Sequence, residues 1–335
     1  MQRFFCLVIN FQLKTNDRAK NKKLFFDMIN RTLIRLKIVQ LVYAFYQNEG
    51  KTVETAEKEL LFSLSKAYDL YNLLLLLIVT VTRYARKQVD EREKLNKAAH
   101  IDEPVNRRFV ENRFAVQLEE NLQLRQFVQN QKRTWDGEIV YVKSLYEKII
   151  ASELYAEYMK KEETTYAEDR ELWRALYKNI VMKDESLDEV IEDQSLYWND
   201  DREIVDTFIL KTIKRFDESN GKDQELVPEY KDEEDREFAI RLFHRTITND
   251  EYYRGLIIQS IRNWEFDRLA YMDICIMQTA IAEMLSFAEI PVSVTINEYV
   301  EIAKWYSTPK SAGYVNGIID AVAKRLKSEL KMLKQ

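Results

Sequence analysis

Glycine and proline are scarce: 6 Gly and 4 Pro in 335 residues. That is too few for the tight turns joining short strands, so the chain is expected to be all-α with short connections. The same scarcity excludes the clustered glycines of a phosphate-cradling loop, where backbone must approach a ligand without a Cβ in the way. The only histidines, His100 and His244, are not four residues apart. Neither follows a Glu at the ExxH spacing of a zinc or di-iron helix, so no metal and no other cofactor is expected. Of the two cysteines, Cys6 and Cys275, the second lies in an apolar run and reads as a small buried hydrophobe. This cysteine usage fits a reducing cytoplasm.

No apolar run is long enough for a bilayer. The longest, LLLLLIV at Leu73–Val79, falls short of the roughly 20 residues a span needs and reads as a buried core helix, so no membrane partner is expected. The start, MQRFFCLVINFQLK, has a short apolar run but no small-residue cleavage site, which argues against a signal peptide. A second methionine, Met28, makes residues 1–27 an N-terminal extension or a mis-assigned start. Glu and Tyr pairs abound in so charged a chain, but no nucleophile, base and orienter come together in the sequence. Neither catalysis nor a small-molecule substrate is expected.

What is present can build cores: 46% of residues are hydrophobic and 12% aromatic, over a length that suits two ordinary domains. Charge is unevenly spread. Residues 1–60 carry 11 basic against 6 acidic side chains, residues 61–235 carry 27 against 38, and the remainder 13 against 12. The acidity therefore belongs to the middle, which reads as helices over 53–97, 105–132, 138–160, 167–182 and 201–216, with the acidic run DESLDEVIED (184–193) as a solvated helix face. The last hundred residues continue as amphipathic helices. One very apolar helix, 268–287, stops before Pro291, and the final helix begins near Ser307-Thr308-Pro309. Asn297 and Glu298 read as helix-start capping residues.

Residues 28–47, MINRTLIRLKIVQLVYAFYQ, form a helical stripe in which Val39, Val42 and Tyr46 share a face with Ile38 and Phe45. Arg31 and Arg35 lie on the same line. Four-residue spacing sets both at the positive end of a helix dipole, where cations are not favoured, so they are either a solvated first turn or a surface for an anion. Later stand IPVSVTINEYVEIAK (290–304) and YVNGIID (314–320). Taken together, these three stretches resemble the bacterial transcription antitermination factor NusB family.

The resemblance covers 28–60 and 236–331, leaving 61–235 as a large acidic helical insertion, and it implies a core of two three-helix bundles. It further implies a factor that binds boxA-type nascent RNA together with the ribosomal protein NusE and the transcription elongation complex, supporting rRNA operons, with no covalent chemistry. By position, Arg31 and Arg35 fall on the family's RNA-contacting arginine motif, with Thr32 and Leu33 where further arginines often stand. Tyr314 and Asn316 fall on a segment implicated in RNA contact. Lys310 replaces an acidic position before it, and Asp273 matches an acidic position that faces the ribosomal partner. The competing reading is a helical scaffold acting through the acidic insertion, with RNA binding reduced or lost. On the division above, removing 61–235 would leave a folded core.

Overall fold

The computed structural model describes residues 29–48, 50–131, 133–198, 200–230, 232–261 and 266–329. The expectation for residues 1–27 lies outside them. Helix α1, Arg31–Gln47, begins where the Asn30 side chain accepts a hydrogen bond from the Leu33 amide at 2.9 Å, satisfying one of the unpaired donors of a first turn. Past its end, Gly50 takes φ of 87°, a conformation strained for residues with a Cβ. Thr52 then caps α2, Val53–Ala98, its hydroxyl accepting from the Thr55 amide at 3.3 Å.

At 46 residues, α2 is about 69 Å long at 1.5 Å per residue. By length and composition it could cross a membrane, yet 78% of its most apolar window is buried inside the protein. Leu73 through Val79 are at most 5% exposed. The leucine run is a core helix, as expected.

The chain continues through α3 (Arg113–Glu120), α4 (Leu122–Gln131), α5 (Ile139–Ile150), α6 (Glu153–Met159), α7 (Tyr166–Asn179), α8 (Glu185–Gln194) and α9 (Arg202–Arg215). It ends with α10 (Glu233–Thr248), α11 (Asp250–Ser260), α12 (Tyr271–Ser286), α13 (Val292–Tyr306) and α14 (Ser311–Ser328), and no strand occurs among the described residues. Two expected long helices are each split by a polar cap. Buried Asn121 accepts from the Leu124 amide at 3.0 Å and donates to the Gln224 carbonyl at 2.6 Å. Ser152 accepts from the Tyr155 amide at 3.2 Å.

Helix α12 is central, packed against α1, α10, α11, α13 and α14. Helix α2 packs against α1 and α10 and also against α3, α5 and α9. The boundary expected at residue 60 thus falls within one uninterrupted helix, and buried residues on both sides of it belong to one continuous core. The Trp135 indole donates to the Leu73 carbonyl at 2.8 Å, and Tyr71 and Thr212 share a hydroxyl contact of 2.7 Å.

Near the end of the acidic segment, three residues meet α1 and a fourth meets α2. Trp198 is fully buried and donates to the Lys66 carbonyl at 2.7 Å. Lys37 is 3% exposed, with its Nζ 2.7 Å from Oδ1 of fully buried Asp201 and 3.2 Å from the Tyr197 carbonyl. Gln40 donates to Asp200 at 2.8 Å.

Burial pushes the Asp201 carboxyl up to about 6 against the opposing pull of Lys37. It pushes Asp206 up to about 6 as well, against a hydrogen bond from Tyr177 at 2.6 Å. Both groups therefore hold protons in the folded state at pH values where an unfolded carboxylate, with its ordinary value of 3.8, has released them. Their contribution to stability rises as pH falls from 7 to 5. Carboxylates held low, such as Glu168 and Asp184, lose stability only below the ordinary carboxylate range. Urea titrations at pH 7 and pH 5 should show Asp206→Asn losing about 1 kcal/mol of the acid-side gain. An unchanged pH slope would contradict the assignment.

Candidate nucleic-acid interface

Arg31 and Arg35 share a helix line but not an environment. Arg31 is one-third exposed. Its Nε lies 3.1 Å from Asp235 of α10, and its guanidinium stands 4.9 Å from the centre of the Phe238 ring. The edge and the face of the guanidinium are thus both held, which fixes its orientation at the surface.

Arg35 does not protrude, contrary to expectation: it is 3% exposed. Its Nε and Nη2 bind the two Glu283 oxygens at 2.7 and 3.0 Å, and its Nη1 lies 3.4 Å from Glu298. Fully buried Glu283 also accepts from Thr295 at 2.8 Å and Tyr299 at 3.2 Å. Burial acts to lower the Arg35 pKa, but the hydrogen bonds and charge of Glu283 outweigh it and hold the guanidinium above its ordinary value. Burial beside that carboxylate pushes Tyr299 well above the usual phenol range.

The physical reason is that a carboxylate on the otherwise apolar helix α12 draws in the cation α1 offers. The network ties α1, α12 and α13 together. Glu298 lies within α13 and also accepts from Thr32 at 2.9 Å, so it works between helices and does not cap one. Asn297 likewise lies inside α13.

The other predicted residues gather at the start of α14. Lys310 and Asn316 are exposed and Tyr314 is half-buried. Asp273, expected at a partner-facing position, is fully buried within this chain. Its Oδ2 accepts from Ser311 at 3.0 Å and from the Tyr314 hydroxyl, while Ser311 and Tyr314 stand 2.7 Å apart. Burial raises the Tyr314 phenol, and Asp273 raises it further. The hydroxyl cap expected near Ser307 is not formed: Lys310 stands at the N-cap position of α14 without a side-chain cap, and Ser311 accepts from the Thr308 amide in the preceding turn at 3.1 Å.

Two groups result, at opposite ends of α1. Helix α13 runs parallel to α1, since Glu298 meets Thr32 and, eight residues on in each helix, Tyr306 meets Gln40 at 3.4 Å. The α14 turn lies beyond Tyr306, so it is separated from Arg31 by about 12 Å along α1. Tyr43 packing on Tyr271 at 5.6 Å places the start of α12 at that same far end.

Sequence reasoning did not find Glu283, Asp235 or Asp201. A signal existed for the first: an acidic residue inside YMDICIMQTAIAEMLS needs a buried cation, and α1 supplies one.

All-α packing with polar side chains closed into buried networks defines a helical bundle. The NusB family profile matches residues 208–324. The transcription antitermination protein NusB of Salinibacter ruber is 36% identical over 120 residues, 34% of this chain and 75% of that protein. That of Koribacter versatilis is 40% identical over 100 residues, 30% of this chain and 68% of its own length. That of Natranaerobius thermophilus is 46% identical over 82 residues, 24% and 59%. The chain belongs to the NusB family.

Proposed function

We propose that this protein is a cytoplasmic transcription antitermination factor. It binds boxA-type nascent RNA together with the ribosomal protein NusE and acts with the elongation complex on rRNA operons. The observation that carries this reading is the match across three-quarters of a relative named for antitermination. Arg31, Lys310, Tyr314 and Asn316 supply the RNA-facing chemistry. The two cations neutralise phosphates, while the phenol ring and the amide meet unpaired bases. Arg35 holds the helix that presents Arg31. Residues 61–235 are proposed as an acidic helical insertion into the family core, joined to the remainder by continuous packing.

Titration of a boxA-like single-stranded RNA against salt, with and without NusE, tests the proposal. Replacing Arg31 and Lys310 together by Ala should weaken binding. It should also flatten the slope of log K against log salt by about 1.4, roughly 0.7 for each lost contact to a single strand. An unchanged slope would favour the second reading, a scaffold acting through the acidic insertion. Two observations support that alternative: the sealing of Arg35 and the excess of 38 acidic over 27 basic residues in 61–235.

A further inference from the structure

We infer that Asp273 is a positioning residue for the RNA-facing turn of α14, acting through the hydroxyls of Tyr314 and Ser311; this rests on the function proposed above. Asp273 projects from the first turn of α12 and is fully buried within this chain. One of its oxygens takes both hydroxyls, while the other, Oδ1, is buried without a hydrogen bond. Accepting two donors at one atom fixes where those donors sit, because hydrogen bonds to a carboxylate are short and directional.

The donors are well placed to transmit that constraint. Ser311 is the first residue of α14 and is itself fully buried. Its oxygen is linked to Ser307 at 3.0 Å and to the Thr308 hydroxyl at 2.8 Å, so the whole connection from α13 to α14 converges on Asp273. Lys310 adjoins Ser311, and Asn316 lies two residues beyond Tyr314. Both are exposed and have no ion-pair partner among the described residues, so their direction follows from the turn that carries them. The hydroxyl end of Tyr314 is anchored inward. One face or edge of its ring can therefore meet a base only in the orientation that Asp273 permits, which lowers the ordering cost of binding.

A double-mutant cycle separates positioning from mere packing. Tyr314→Phe keeps the ring and removes only the hydroxyl, so it remains informative even where Asp273→Ala unfolds the chain. Asp273→Asn keeps the volume of the side chain while weakening its acceptance. Each single change is expected to weaken boxA-like RNA binding by about tenfold, the worth of one hydrogen bond to a charged group. The double variant Asp273→Asn/Tyr314→Phe should be no weaker than either single one. The salt slope should stay as in the wild type, since neither residue meets a phosphate.

Amide hydrogen exchange without RNA gives an independent readout. Exchange over 308–316 should rise in Asp273→Asn and in Tyr314→Phe, with α10 and α12 unchanged. Strictly additive losses, or unaltered exchange over 308–316, would overturn the inference. So would weakened NusE binding with RNA affinity intact, which would return Asp273 to a partner-facing role. If the wild-type chain bound no boxA-like RNA, the proposed function would fail, while the exchange measurement would still decide whether Asp273 positions the turn.

Discussion

Glu283→Ala is expected to lower the unfolding free energy by about 3–5 kcal/mol, the cost of leaving a buried charge without its counter-ion. The change leaves Arg35, which is 3% exposed, with only the longer 3.4 Å contact to Glu298, and removes the acceptor of Thr295 and Tyr299 in the same step. Water does not reach these groups easily, so three donors on α1 and α13 lose their partner at once. Removing both charges should be far milder. Arg35→Met with Glu283→Leu replaces the pair by apolar side chains of similar length, and such exchanges are often neutral. Urea unfolding of the two variants makes the comparison. A loss below about 1 kcal/mol for Glu283→Ala would show that the network does not close the bundle.

Deleting residues 61–235 behind a short linker should abolish cooperative unfolding, the reverse of what a modular insertion implies. The cut would leave only the first eight residues of α2, a fragment too short to hold helix on its own. It would also remove Asp201 and the Tyr197 carbonyl from buried Lys37. An unpaired ammonium and a newly exposed apolar surface would then face water together. Circular dichroism melting of the truncated chain decides the matter. A sharp transition combined with salt-dependent RNA binding would establish an independent core.

Helix content was legible because the signal is local. Scarce glycine and proline and a clear 3.6-residue apolar period point to α-helix whatever the tertiary context. The leucine block at Leu73–Val79 announced a buried helix on the same grounds. The breaks at Asn121 and Ser152 were missed because each depends on a single side chain turning back to cap a new helix.

The site was less legible, since what decides it is remote in sequence. Arg31 and Arg35 are equivalent by spacing, and only Asp235, 204 residues away, and Glu283, 248 residues away, distinguish them. Asp273 is an acidic residue in the first turn of α12. Its burial depends on how α14 docks, which the order of residues within α12 does not encode.

The reach of α1 for its partners also bears on the order in which the chain can fold during synthesis. Arg35 leaves the ribosome 248 residues before Glu283, roughly ten to fifty seconds ahead at the usual pace of translation. During that interval α2 can gather α3, α4, α5 and α9, whose contacts with it are complete by residue 215. Tyr197 and Asp201 are likewise made well before α12, so the Lys37 contacts of α1 can form ahead of its Arg35–Glu283 pair.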